Sequence, residues 1–174
     1  MDKTGFKTAS KKALFLDRDG VINEDVGYVY RREDFVFKEG IFAALREFTK
    51  AGYALVVVTN QSGIGRGYYT LEQFDELCRF MLSEFEKEGV KIEKIYFCPH
   101  ASEALCGCRK PEPGMLLRAA NELNIDLACS IMIGDKDSDV QAGQSAGVGI
   151  NLKLDDRLKS VADALEFLKK EGKI

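Results

Sequence analysis

Three short aliphatic runs recur along the chain, and each stops abruptly at a polar or acidic turn: residues 13–16 before Asp17, 54–58 before Thr59, and 130–133 before Gly134 and Asp135. Each is predicted to be a strand buried on both faces, the pattern of a sheet covered on both sides. Segments 41–51, 71–87, 114–124, 138–146 and 157–170 read as helices, several with apolar residues at three- and four-residue spacing. Segments 91–97 and 148–152 supply two further strands. Alternation of strand and helix predicts an α/β fold with a doubly wound parallel sheet, because parallel strands need crossovers and these are normally helical. Ligands collect at the carboxyl ends of such strands, where Asp17, Thr59 and Asp135 all fall. Residues 20–38, aromatic and mixed in charge, form the longest insertion before the first helix and are expected to cover that edge as a small flap.

Composition narrows the class. At 174 residues, with 45% hydrophobic and 30% charged positions, the chain is expected to fold as a single soluble domain spanning 1–174. No apolar run approaches the roughly 18 residues of a membrane span, and the polar segment 1–12 lacks the apolar centre of a secretory signal. The expectation is a cytoplasmic protein with no membrane partner. A net charge of −3 argues against nucleic-acid binding, which depends on cations neutralising many phosphates. A monomer acting on a small soluble substrate fits this balance.

The chemistry-bearing residues cluster at the predicted strand ends. In LFLDRDG, Asp17 and Asp19 are two residues apart, so strand geometry projects both to one side. Paired carboxylates of this kind suit a magnesium ion and divided nucleophile and acid/base roles. Asp135, at the end of the third strand, is the additional ligand candidate, whereas Asp137 and Asp139 are explained by the start of a helix. Thr59, Asn60, Gln61, Ser62 and Gly63 offer a hydroxyl and backbone amides suited to phosphate oxygens. Arg109 and Lys110 sit on a segment stiffened by Pro111 and Pro113. Just before them, Cys98, His100, Cys106 and Cys108 form two close pairs five residues apart, which reads as a closed tetrahedral zinc site that stabilises a loop. Cys78 and Cys129 are expected to be buried thiols.

DRDGVIN, VVVTNQSGIGRG, CPH with CGCRKPEPGM, and IMIGDKDSD occur in one order, and with them the chain resembles the heptose-bisphosphate phosphatase family of the haloacid dehalogenase superfamily. The resemblance runs from Ala13 to about Ala164. It implies the Rossmann-like fold of that superfamily and removal of the 7-phosphate of D-glycero-D-manno-heptose 1,7-bisphosphate, a step in making lipopolysaccharide or surface-layer sugar precursors. Asp17 would be the nucleophile and Asp19 the acid/base. Magnesium would be held by Asp17, Asp135 and the backbone carbonyl of Asp19. Thr59 and Lys110 would steady the phosphoryl group, and Arg109 and Lys136 would serve recognition. Asp25, Gly27, Tyr28, Asn60, Gln61 and Ser62 would line the substrate pocket. Only five residues separate His100 from Cys106, a short loop similar to that of histidinol-phosphate phosphatases, so histidinol phosphate is the alternative substrate. A polynucleotide phosphatase is disfavoured by charge. A zinc-stabilised interaction domain without activity is the non-enzymatic alternative.

Overall fold

Five parallel strands lie in the order β3-β2-β1-β4-β5 in the computed structural model, which describes residues 10–174. Residues 1–9, and with them most of the polar opening segment, lie outside the described residues. The strands are β1 (Lys12–Leu16), β2 (Tyr53–Asn60), β3 (Ile92–Cys98), β4 (Ile131–Gly134) and β5 (Ile150–Lys153). The helices are α1 (Ile41–Lys50), α2 (Ser62–Gly65), α3 (Leu71–Lys87), α4 (Gly114–Leu123), α5 (Asp137–Ala146) and α6 (Val161–Lys170). Among the described residues, no helix is long and apolar enough to cross a membrane.

The period of two along each strand divides the core. Leu14, Leu16, Leu55, Val57, Ile131 and Ile133 face one side, where α1, α3 and α6 contribute Leu45, Phe48, Met81, Phe85 and Leu165. Ala13, Phe15, Val56, Val58 and Met132 face the other, against Leu116 and Ala119 of α4 and Ala142 of α5. Two covered faces explain why the central strands read as unbroken apolar runs. Register then fixes the site: Leu16 pairs with Val57 on one side and Ile133 on the other, and Asp17 N–H donates to Ile133 O at 3.1 Å. β1 and β4 therefore end within one residue of each other while β2 runs on to Asn60, so Asp17, Thr59 and Asp135 emerge at one edge.

Local chemistry accounts for the helix limits. Thr70 caps α3 through a capping box with Gln73. The expected helix over 157–170 starts at Val161 instead, because Asp155 Oδ1 accepts the N–H groups of Arg157 and Leu158 and wraps them into a turn. Ser160 then caps Asp163 N–H. The single turn α2 has no apolar period to announce it. The expectation for Cys78 holds, whereas Cys129 is exposed; it lies in the turn before β4, outside both apolar layers.

The flap is rooted more deeply than a surface cover. Val21, Ile22 and Val29 are fully buried, and Glu24 N–H and Lys38 N–H bond to Val36 O and Ile22 O at 2.8 and 2.9 Å. Its tip, residues 24–28, stands exposed beside the strand ends, and residues 31–34 and Val36 are exposed as well. Below it, Phe37, Phe42 and Phe85 pack edge-on or tilted with centroids 4.8–5.6 Å apart. Replacing Phe85, which is 0% exposed, with alanine is expected to cost about 3–5 kcal/mol in urea unfolding, the range for deleting a buried aromatic side chain.

Candidate active site

The strand ends open into a cavity of about 520 Å³. Asp17 and Asp19 from β1, Thr59 to Ser62 from β2, and Lys110 with Arg109 from the segment before α4 all line it. Asp25, Gly27 and Tyr28 enter from the flap tip, and Lys136 from the β4–α5 turn. Asp135 is not among the lining residues, but its carboxylate lies close to that of Asp17. Tyr69, Pro111, Ser138 and Asp139 also line the cavity and were not expected there.

Lys110 is the centre of the charge arrangement. Its ammonium is 1% exposed and contacts Asp17 Oδ1 at 2.9 Å and Asp139 Oδ1 at 2.6 Å, and it donates to Val58 O at 2.7 Å. Burial works against this charge, but Asp17 and Asp139 more than offset that and hold the amine above the ordinary lysine range. Asn60 ties the backbone in place, donating to Lys110 O and accepting from Lys110 N–H, both at 3.0 Å. The amide of Asn60 thereby holds Lys110 while still lining the cavity.

Asp139 does more than start a helix. Its Oδ2 accepts Lys136 N–H at 3.0 Å, as a cap would, while Oδ1 takes Lys110. Its carboxylate lies with those of Asp17 and Asp135 in a group whose ligand atoms fall within 4.8 Å of one another. Asp135 Oδ1 is buried with no hydrogen-bond partner. The hard oxygens of Asp17 and Asp135, one of the latter orphaned, fit a magnesium ion, whereas both oxygens of Asp139 are already engaged. Asp135 also packs against Gly20, where a Cβ would collide with its carboxylate, so Gly20 keeps the two turns in contact.

The side chain of Asp19 points away from that acidic group. It accepts from Arg18 at 2.9–3.2 Å, from Asn23 Nδ2 at 3.0 Å and from Gln61 Nε2 at 3.0 Å. Arg18, 1% exposed, also donates to Val29 O of the flap at 2.6 Å. At the cavity mouth, Lys136 Nζ lies 3.4 Å from Asp25 Oδ2 and 3.9 Å from Asp135 Oδ2. Tyr28, at φ 49°, sets its ring edge-on to Tyr68 with centroids 4.8 Å apart. A positive φ is uncommon outside glycine, and here it turns the flap tip across the mouth.

Beside the cavity, Cys98, His100, Cys106 and Cys108 present ligand atoms within 4.8 Å of one another. Cys106 Sγ lies 3.7 Å from the sulfurs of both Cys98 and Cys108, and His100 Nδ1 lies 3.4 and 3.3 Å from those same two sulfurs. A tetrahedral zinc with ordinary bond lengths has edges of about 3.8 Å between sulfurs and about 3.5 Å from sulfur to nitrogen, so the four residues fit zinc and are too far apart for a disulfide. Burial pushes the Cys98 thiol up to about 12. Burial acts the same way on Cys106, but the amides of Arg109 and Cys108 and the neighbouring thiols bring it down to about 7.

Comparison with known proteins agrees with this geometry. Residues 107–156 match the HAD-hydrolase-like family. The D-glycero-alpha-D-manno-heptose-1,7-bisphosphate 7-phosphatase of Campylobacter jejuni is 48% identical over 169 residues, covering 92% of this chain and 97% of that one. The D-glycero-beta-D-manno-heptose-1,7-bisphosphate 7-phosphatase of Helicobacter pylori is 53% identical over 146 residues, covering 83% of this chain and 84% of that one. Among solved structures, a D,D-heptose 1,7-bisphosphate phosphatase from B. bronchiseptica, complexed with magnesium and phosphate, superposes with a TM-score of 0.81 at 30% identity, covering 92% of this chain and 99% of that one.

Asp135 gives the acidic group a measurable signature. Burial first, then the negative charge of Asp17, push its carboxyl from 3.8 up to about 6. The folded protein then binds this proton more tightly than the unfolded chain, so stability falls as pH rises from 3.8 through about 6. In magnesium-free buffer, Asp135→Asn is expected to gain on the order of 1–3 kcal/mol over the parent protein between pH 4 and pH 7. Unfolding midpoints at the two pH values check this; an unchanged difference contradicts it.

Proposed function

Because the chain belongs to the D-glycero-D-manno-heptose-1,7-bisphosphate 7-phosphatase family of HAD-like phosphoric monoester hydrolases, we propose that it removes the 7-phosphate of that sugar bisphosphate through an aspartyl-phosphate on Asp17. The observation that carries this reading is the buried Asp17–Lys110–Asp139 arrangement at the strand ends. Both partners of Asp17, Lys110 and the Arg18 N–H, fall on Oδ1, which leaves Oδ2 for phosphorus. Attack by Oδ2 forms the acyl-phosphate and breaks the bond between phosphorus and the sugar oxygen. Asp19 gives that oxygen its proton, then takes one from the water that cleaves the acyl-phosphate. Lys110 and the Thr59 hydroxyl balance negative charge on the transferred group. Magnesium, held by Asp17, Asp135 and the backbone carbonyl of Asp19, would supply a positive charge that lets an anionic carboxylate meet an anionic phosphate.

Asp25, Gly27 and Tyr28 at the flap tip, with Ser62, Arg109 and Lys136, surround the space left for the sugar. Arg109 is held at the mouth by the metal-binding loop, its Nη1 lying 3.5 Å from His100 O. Zinc on Cys98, His100, Cys106 and Cys108 would close that loop and fix the segment carrying Arg109 and Lys110, with no coordination position open for water.

Phosphate release with saturating magnesium is expected to favour one anomer of the heptose bisphosphate over histidinol phosphate in kcat/KM. A preference for histidinol phosphate overturns the substrate. Asp17→Asn is expected to lower kcat by on the order of 10³-fold or more with the fold intact, and retained turnover refutes the nucleophile. Protein purified without chelators is expected to carry one zinc per chain by elemental analysis; Cys106→Ser is expected to lose it along with most activity, because the loop holding Lys110 is released.

A further inference from the structure

Tyr69 lines the cavity, yet no step above employs it. Its hydroxyl is 2.5 Å from Gln61 Oε1, and its ring stacks on Tyr30 at 5.1 Å and 7°. This approach requires Gly63, because a Cβ there would collide with the Tyr69 ring. A primary amide has one accepting and one donating end. While ionised and paired with Arg18, the Asp19 carboxylate accepts only, so Gln61 Nε2 faces it at 3.0 Å while also reaching Thr59 Oγ1 at 2.9 Å. The opposite orientation would set oxygen against oxygen. With Nε2 so placed, Oε1 is left buried and needs a donor, and the phenol is that donor.

We propose that Tyr69 is a positioning residue for the phosphatase reaction: by donating to Gln61 Oε1 it locks the amide so that one nitrogen spans Asp19 and Thr59. This rests on the roles assigned above to Asp19 and Thr59, whose separation the amide fixes. Gln61 is 2% exposed and Tyr69 4%, so water does not readily replace the phenol. Burial holds the phenol up at about 12, and it stays a donor throughout the neutral range.

Tyr69→Phe keeps the stacked ring and removes only the hydroxyl. With heptose 1,7-bisphosphate and saturating magnesium, kcat is expected to fall about three- to tenfold while KM stays within about twofold, the size of one neutral hydrogen bond exerted on the reacting groups rather than on ground-state binding. Gln61→Leu is expected to lose more, and the double variant to be no slower than Gln61→Leu alone, because the hydroxyl acts only through the amide. A purely structural tyrosine would change the unfolding midpoint and leave kcat per folded molecule unchanged. Wild-type kcat in Tyr69→Phe, or losses in kcat that add in the double variant, overturns the proposal. Asp19→Asn, assayed alongside, separates the two levels: wild-type turnover there overturns the acid/base reading itself, whereas an inactive Asp19→Asn with an unaffected Tyr69→Phe overturns the positioning role alone.

Discussion

An ammonium buried between two carboxylates is the constraint on which the rest of this structure depends. Lys110, at 1% side-chain exposure, sits between Asp17 and Asp139. Removing either partner of such a buried set leaves a charge without compensation, which costs several kcal/mol. Three separate stretches of chain must therefore arrive together: the end of β1, the start of α5, and the segment after Cys108. The parallel sheet delivers the first two, because register ends β1 and β4 within one residue of each other. Nothing in the sheet delivers the third. Lys110 lies in an irregular segment, and its position is fixed by the Asn60 amide on its backbone and by the Cys/His knot immediately before it.

The Cys/His loop and the strand-end cavity are therefore one mechanical unit. Cys98 is the last residue of β3, and its carbonyl accepts Gln61 N–H at 2.8 Å. Pro99 O accepts Gly65 N–H, also at 2.8 Å, which draws α2 against the loop. The turn carrying Thr59 and Gln61 and the turn carrying Cys98 and His100 are thus hydrogen-bonded to each other before any metal is considered. The four ligand atoms lie at tetrahedral edge lengths because the backbone that bears them is already held from both sides. Arg66 adds a surface tie to Ser102 and Glu103 at 2.9 and 2.8 Å, a contact worth little in solvent.

The sheet and its catalytic edge were largely legible in the sequence, since aliphatic runs that stop at Asp17, Thr59 and Asp135 carry both the strand and its end. The Cys/His spacing was equally informative, because the four side chains it marks do converge to within 4.8 Å. What escaped were residues whose importance is set by long-range packing. Asp139 reads as an ordinary helix-start carboxylate, and in fact caps Lys136; only the fold brings Lys110 to its other oxygen. Asn60 reads as a cavity-lining amide, and its second task, holding the Lys110 backbone across 50 residues of chain, is visible only in the fold. Tyr69 follows a glycine-rich turn with nothing to mark its hydroxyl. Gly63 was a visible signal, but of a turn; its function as clearance for a ring needs coordinates. The start of α6 was missed for a local reason, the side chain of Asp155 competing with helix for backbone N–H groups.

The flap shows how chemistry and substrate choice are separated while remaining coupled. Its roots, Val21, Ile22 and Val29, belong to the core, so they cannot vary without disturbing the sheet. Its tip, with Val26 at 68% and Tyr28 at 48% exposure, contributes almost nothing to that core and is free to suit the sugar. Arg18 joins the two: the same Nη2 that pairs with the Asp19 carboxylate also donates to Val29 O. A movement of the flap backbone therefore cannot occur without changing the hydrogen bonding of Asp19. A buried guanidinium tolerates little loss of partners, so Arg18 resists such movement. The fold thereby holds the Asp19 carboxylate rigidly while leaving the exposed tip residues little constrained by the core.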